Sequence, residues 1–331
     1  MDFHFQSNFA DQILHTLMNN SIKGALFGCI SAVSYAMNPL CALFLYKDDI
    51  NSNSVLFYRF GIGSLVLGLF MWMKRMDFSV TRREAFFLAL LGVIFAISSL
   101  TYFLSFYYMG PGVAATLVFA YPVFVALLMA IFFKERLKWP SIIAILLTVC
   151  GIALLYEGDN GQPIAPMGIV LILISALTYA LYIITINRSG IVMSGTKLTF
   201  YAMLSCLGSI VLYSILTPTG SLQLLHTGRE WFFAVLLGIV PTVISLVFMA
   251  MAIHCIGSTR TAIMGALEPV TAVFVGVLVF DELLTGRLVF GITLILVSVM
   301  LILLDSRIRR MLGENKVVKK GRLILKRARW K

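Results

Sequence analysis

Charge is what this sequence has least of. Only 12% of its 331 residues are Asp, Glu, Lys or Arg, while 60% are hydrophobic; soluble domains carry about 25% charged residues. A chain so poor in charge cannot clothe a globule in solvated side chains. That excludes the ordinary soluble enzyme and the soluble nucleic-acid binder, and leaves a polytopic membrane protein. Cysteine is sparse and unpatterned. Cys29, Cys41, Cys150, Cys206 and Cys255 lie singly in apolar segments, with no CxxC and no Cys/His cluster, so neither a disulfide framework nor a zinc site is expected. They read as small buried hydrophobes. Clustered His, Asp and Glu are missing too, as is a nucleophile with a base at helical spacing, so no enzyme and no cofactor is expected. The first 20 residues hold Asp2, His4, Asn8, Asp11 and His15 and lack the apolar core of a cleavable signal peptide. Phe3, Phe5, Phe9, Ile13, Leu14 and Leu17 can line a short interfacial helix, or the start is disordered.

What is abundant is long apolar runs. Ten are legible, at about 22–46, 55–73, 85–108, 113–133, 141–156, 167–187, 196–216, 231–254, 258–280 and 287–304, most of them near the roughly 20 residues a helix needs to cross a bilayer. The net charge of +11 does not point to nucleic acid, because residues 305–331 alone hold eleven Lys/Arg and two acids. With the N-terminus inside, 22 of the 26 Lys/Arg fall on the inner side, three (Lys47, Arg229, Arg287) fall outside, and Arg59 lies within a span. The positive-inside rule then puts both termini in the cytoplasm. The basic tail, interleaved with Val317, Val318, Leu323, Ile324, Leu325 and Trp330, reads as a segment for anionic lipid or as a charge cluster that only fixes topology.

Residues 257–282 read GSTRTAIMGALEPVTAVFVGVLVFDE and residues 110–135 read GPGVAATLVFAYPVFVALLMAIFFKE. They align without gaps at an offset of 147, matching Gly110, Ala115, Pro122, Val123, Phe133 and Glu135 with Gly257, Ala262, Pro269, Val270, Phe280 and Glu282. Further blocks match in the same order: SAVSYA (31–36) with SALTYA (175–180), and EAFFLALLG (84–92) with EWFFAVLLG (230–238). The chain is expected to be a duplication: a segment 1–21, a first repeat 22–156, a Gly/Pro/Asp-rich linker 157–166, a second repeat 167–304 and the tail 305–331. Five spans per copy is an odd number, so the copies must have opposite topology, an architecture that places a substrate site near the midplane between them. Pro39, Pro122, Pro241 and Pro269 fall inside spans and are expected to kink helices around that cavity.

The proline and terminal acid of each copy, in YPVF…FFKERL (121–137) and LEPVTAVF…VFDELL (267–284), together with Arg59 in FYRFGIG (57–63), resemble the drug/metabolite transporter superfamily, of the EamA type. The resemblance covers about residues 22–304. It implies an all-α basket of ten helices in a 5+5 inverted repeat. The first, third, fourth, sixth, eighth and ninth spans would line a central cavity, with the fifth and tenth peripheral. It also implies a carrier of small metabolites, often an exporter of amino acids or related compounds, in the inner or plasma membrane.

Glu268 is the leading site residue, since an intramembrane carboxylate is costly unless it serves a partner. It would bind a substrate amine or carry a proton, or be satisfied by hydroxyls or by Arg59. Tyr121 occupies the equivalent position in the first copy. Arg59 would bind a substrate carboxylate, pair with Glu268 or snorkel; the two differ in depth by roughly 10 Å at 1.5 Å per residue. Tyr35, Asn38, Tyr102, Tyr179, Tyr182 and Ser245 lie at heights that suit a polar-aromatic pocket or helix–helix contacts. Glu135 and Glu282 read as helix-end groups and His254 as interfacial. The expected partners are a small-molecule substrate and membrane lipid, with no nucleic acid. A proton-coupled exchanger working through Glu268 is the alternative, and a scaffold or channel subunit the remote one.

Overall fold

The computed structural model describes residues 22–134, 139–155, 165–189, 193–217, 220–257, 261, 263–280 and 285–302. The described residues are helical, with no strand among them. Seven helices are long and apolar enough to cross a membrane: α1 (Ile22–Lys47), α2 (Ser52–Met73), α3 (Arg82–Ser105), α4 (Pro111–Phe133), α6 (Pro166–Ser189, apolar to Ile186), α7 (Gly195–Leu216) and α8 (Gly228–Ile256). Three further apolar helices are shorter: α5 (Trp139–Leu155), α9 (Leu267–Phe280) and α10 (Gly286–Ile302). Leu65, Trp72, Ile131, Phe132, Ile215, Phe274 and Leu278 are exposed on the outside, as suits a surface solvated by lipid rather than water.

Polar residues set where these helices begin. Thr81 and Glu84 form a capping box at α3, the Thr81 hydroxyl accepting from Glu84 N–H at 3.3 Å and Glu84 accepting from Thr81 N–H at 2.8 Å. Thr227 and Glu230 repeat it at α8. Asn51 caps α2 and Ser194 caps α7 through the backbone N–H three residues on. Each cap satisfies an N–H that the first helical turn leaves without a partner.

Each of the four internal prolines sits at an irregularity, for the reason that proline lacks an N–H and leaves the carbonyl four residues back without its donor. Helix α1 breaks at Met37, just before Asn38–Pro39. Helix α4 breaks at Phe119 and Ala120, before Tyr121–Pro122. A turn at Gly265 and Ala266 precedes Leu267–Glu268–Pro269. Pro241 lies in a π-helical stretch of α8, Ile239–Ile244.

Contacts join the two halves of the chain throughout. Helix α3 packs on α6 and α7, α2 on α7, α4 on α6 and α9, and α8 on α1 and α2. Inside lipid such packing rests on small residues and hydroxyl hydrogen bonds, each bond worth about 0.6–2 kcal/mol. Ser31 and Ser245 meet at 3.4 Å, the Ser31 hydroxyl also donating to Ser245 O at 2.8 Å. Ser98 and Ser175 meet at 3.3 Å, each bonding the other's carbonyl. Helices α5 and α10 meet through Thr148 and Ser298 at 2.7 Å, beside Gly151 and Gly291.

One face of the bundle, bearing the loop after α2, is strapped by Lys197, whose Nζ lies 3.1 Å from Asp77 Oδ2 and also donates to Ser79 O. On the opposite face the loop after α7 docks on the start of α2. Asn53 Nδ2 donates to Gly220 O at 2.9 Å and Asn51 N–H to Gln223 Oε1 at 2.6 Å.

Candidate functional site

A cavity of about 290 Å3 lies between the two halves. Its lining comes from α1 (Tyr35), α2 (Arg59), α3 (Phe95, Tyr102), α4 (Tyr121), α6 (Tyr179), α8 (Ser245, Met249) and α9 (Glu268), with small residues between them; among the described residues α5 and α10 contribute nothing. Seven of the nine candidate residues therefore share one space: Glu268, Tyr121, Tyr35, Tyr102, Tyr179, Arg59 and Ser245, the last tied to Ser31.

Asn38 is one exception. It is buried but does not line the cavity, because its side chain folds back on its own helix. Pro39 deprives the Tyr35 carbonyl of a donor, and Asn38 Nδ2 supplies one at 2.9 Å. Tyr182 also stands outside the lining, stacked behind Phe95 with centroids 5.1 Å apart. His254 is exposed at the end of α8. Glu135, Glu282, the linker 157–164, the N-terminal segment and the basic tail lie outside the described residues.

Glu268 is placed by the turn that Pro269 imposes. Its own N–H donates to Gly265 O at 2.9 Å, the carbonyl that Pro269 cannot serve. Its carboxylate faces the cavity with no hydrogen bond or ion pair among the described residues. On insertion scales such a charge costs about 2.5–3.5 kcal/mol at mid-membrane, a cost relieved when a cation or a proton joins it.

Arg59 is 3% exposed. Its Nε donates to Thr242 Oγ1 at 3.2 Å, and the guanidinium carbon stands 5.1 and 5.4 Å from the centroids of Phe60 and Phe103. It forms no ion pair with Glu268. The Tyr35 phenol shares a hydrogen bond with the Arg59 side chain and is within electrostatic reach of Glu268. Tyr121 and Tyr179 meet edge to face at 4.8 Å, and the hydroxyls of Tyr102, Tyr121 and Tyr179 are in no hydrogen bond among the described residues. The space thus offers a carboxylate, a guanidinium and free phenols against an aromatic wall.

Arg59 comes from the first half of the chain and Glu268 from the second.

One end of the cavity is sealed by Ala36, Ala115 and Ala272, packed together. Beyond them Phe44 stacks on Phe233 at 4.5 Å and approaches Phe280 at 6.0 Å, with Lys47 over both Phe44 and Phe280. Met249 and Ile253 also line the cavity and are 40% exposed.

Sequence comparison decides the family. The sequence model of the EamA-like transporter family matches residues 22–157 and again 166–304. The chain belongs to the EamA-like transporter family. That family is part of the drug/metabolite transporter superfamily, and the chain is a multi-pass membrane protein. Similar proteins include an uncharacterized transporter of Synechocystis sp., 28% identical over 209 residues, which are 60% of this chain and 61% of that one. An uncharacterized transporter of Archaeoglobus fulgidus is 28% identical over 190 residues, 57% of this chain and 65% of that one. This chain thus spans less than two thirds of either relative. The uncharacterized transporter YcbK of Bacillus subtilis is 25% identical over 277 residues, 80% of this chain and 88% of YcbK. One solved crystal structure superposes with a TM-score of 0.61 over 86% of this chain and 97% of its own, at 19% identity, a likeness of fold alone.

Sequence reasoning missed Thr242. The signal was a hydroxyl side chain directly after a mid-span proline, the counterpart of the amide directly before Pro39.

Proposed function

We propose that this EamA-like protein carries small zwitterionic or amphipathic solutes, amino acids first, outward across the cytoplasmic membrane by alternating access. The observation that carries the reading is a cavity holding one guanidinium and one carboxylate that do not neutralise each other. An amino acid complements both. With Arg59 Nε engaged by Thr242 and one hydrogen bond shared with Tyr35, the other guanidinium N–H groups are left for a substrate carboxylate, and Glu268 meets the ammonium. The aromatic wall of Phe95, Tyr121 and Tyr179 then packs the side chain.

In this reading all ten helices cross the membrane as two five-span copies of opposite topology, 22–156 and 167–304, joined by the linker 157–166. Both termini are cytoplasmic, and the tail 305–331 rests on anionic lipid. The paired contacts support it. At offsets of 144 and 147, Ser31 corresponds to Ser175 and Ser98 to Ser245, so the Ser98–Ser175 contact is the Ser31–Ser245 contact with the copies exchanged. Thr148 touches Ser298, and a Cβ at Gly151 would lie 2.7 Å from Ile295; at an offset of 147 these too are one contact seen twice. Self-complementary pairs of this kind are what a two-fold relation generates.

A second reading is favoured by one specific feature, the absence of an ion pair at Glu268 among the described residues. A proton can then be the counter-substrate, making the protein a proton-coupled exchanger. Flux of labelled amino acids in proteoliposomes, with and without a pH gradient, tests both. Glu268→Gln is expected to abolish most transport of at least one substrate with folded yield intact. Wild-type flux by this variant on every substrate tested rejects the role of Glu268, and absence of saturable flux in the wild type favours a scaffold.

A further inference from the structure

We infer that Thr242 is the positioning residue for Arg59, and that the proline-induced π turn of α8 exists at this place to present it; the inference rests on the reading that Arg59 receives a substrate carboxylate. Pro241 has no N–H, so the Leu237 carbonyl four residues earlier loses its α-helical donor. The Thr242 hydroxyl takes over, donating to Leu237 O at 3.1 Å across a five-residue spacing. That bond fixes the hydroxyl hydrogen, and the lone pairs of Oγ1 then face α2, where Arg59 Nε donates at 3.2 Å. Arg59 and Thr242 are both buried.

The crossing of α2 and α8 is shaped for this contact. A Cβ at Gly63 would lie 3.1 Å from Thr242 Cγ2, and one at Gly238 would lie 2.7 Å from Ile62. With side chains at either glycine the helices would stand apart and the threonine would no longer reach the arginine. The chain Leu237 O, Thr242 hydroxyl, Arg59 guanidinium runs from the backbone of the second half to a charge supplied by the first. It directs a flexible side chain that lines the cavity, and a hydrogen bond to one nitrogen of the fork restricts the whole planar group.

Thr242 therefore has two duties, capping Leu237 O and holding Arg59, and the test must separate them. Thr242→Val removes both. Thr242→Ser keeps both. The double variant Pro241→Ala/Thr242→Val restores a backbone N–H for Leu237 O while leaving Arg59 unheld. Uptake into proteoliposomes is measured for the L-amino acids and for their decarboxylated amines, alongside Arg59→Gln. Thr242→Val and the double variant are both expected to raise KM for the carried amino acid by about tenfold with kcat little changed, and to leave KM for the matching amine where it was. Thr242→Ser is expected to behave as wild type. If Arg59→Gln loses amino-acid selectivity while the double variant keeps the wild-type KM, Thr242 serves the backbone only and the inference falls, with the functional reading intact. If Arg59→Gln leaves amino-acid KM unchanged, or no amino acid is carried at all, the reading beneath it falls and takes the inference with it.

Discussion

Asn38 and Glu268 are both polar, both precede a proline, and both interrupt an apolar run, yet the structure puts them to different uses. The difference is hydrogen-bond inventory. Asn carries donors and can repair the carbonyl that its proline orphans; Glu as a carboxylate carries none. So the Asn38 amide turns back to Tyr35 O, while at Glu268 the backbone makes the repair and leaves the carboxylate to the cavity. Asn38→Ala is accordingly expected to cost about 1 kcal/mol of stability, seen as a lower unfolding temperature in detergent, with substrate KM unchanged. A changed KM at normal stability would put Asn38 in the site after all. Glu268 was legible in the sequence because a charge in an apolar run is an energetic anomaly. Arg59 was legible for the same reason. Thr242 was not, because hydroxyls are common in membrane helices and bond their own backbone at little cost; only the turn made by Pro241 shows which way this one faces.

At the scale of elements, the apolar runs and the prolines were enough to foresee the helices and their breaks, whereas the partners of each helix were not foreseeable. Lipid-facing and protein-facing positions are both apolar here, so hydrophobicity does not tell them apart, and only small residues and hydroxyls mark the contact faces. The crossing of α5 and α10 shows it. A Cβ at Gly151 would lie 2.7 Å from Ile295 Cγ1 and 3.0 Å from the Gly291 carbonyl oxygen. Gly151→Leu should overpack this crossing and cost about 1–3 kcal/mol, lowering thermal stability while leaving substrate KM alone, since neither helix lines the cavity. Unaltered stability would mean the two helices do not pack closely in the membrane. The strap between the α2–α3 loop and α7 has its own signature in pH. Asp77 accepts from the Ser79 hydroxyl and N–H and faces Lys197, and these contacts lower its pKa from 3.8 to about 2. A carboxylate whose folded pKa is depressed adds stability above its unfolded pKa and loses it as pH falls through the folded value. The stability difference between wild type and Asp77→Asn should therefore be full at pH 5 and shrink between about pH 4 and pH 2. A difference independent of pH in that window would assign the strap to packing rather than to charge.

For the whole molecule, the asymmetry of charge and the symmetry of scaffold belong together. Under the proposed function, two like halves would have two arrangements of similar energy, one sealed at each end, and a cavity with one charge from each half would be taken apart and reassembled as the halves rock. In the arrangement described, the seal is Ala36, Ala115 and Ala272, backed by the stack of Phe44 on Phe233 and by Phe280. Helix α1 contributes Phe44 and α8 contributes Phe233, one from each half, so this stack must part whenever the cavity opens at that end. The two side chains meet across the halves with centroids 4.5 Å apart, which makes them the positions at which to test a reversible tether. In a background without the five native cysteines, Phe44→Cys/Phe233→Cys should cross-link under mild oxidation, lose more than about tenfold of its transport rate, and regain it on reduction. Each single variant should transport in either redox condition, which excludes an effect of losing the rings. Substrate binding measured on the oxidised protein should survive, because the tether holds a contact already formed in this structure. Undiminished flux through the cross-linked protein would mean that transport does not require the aromatic stack to open, and solutes would then cross without the exchange of seals that the proposed mechanism requires.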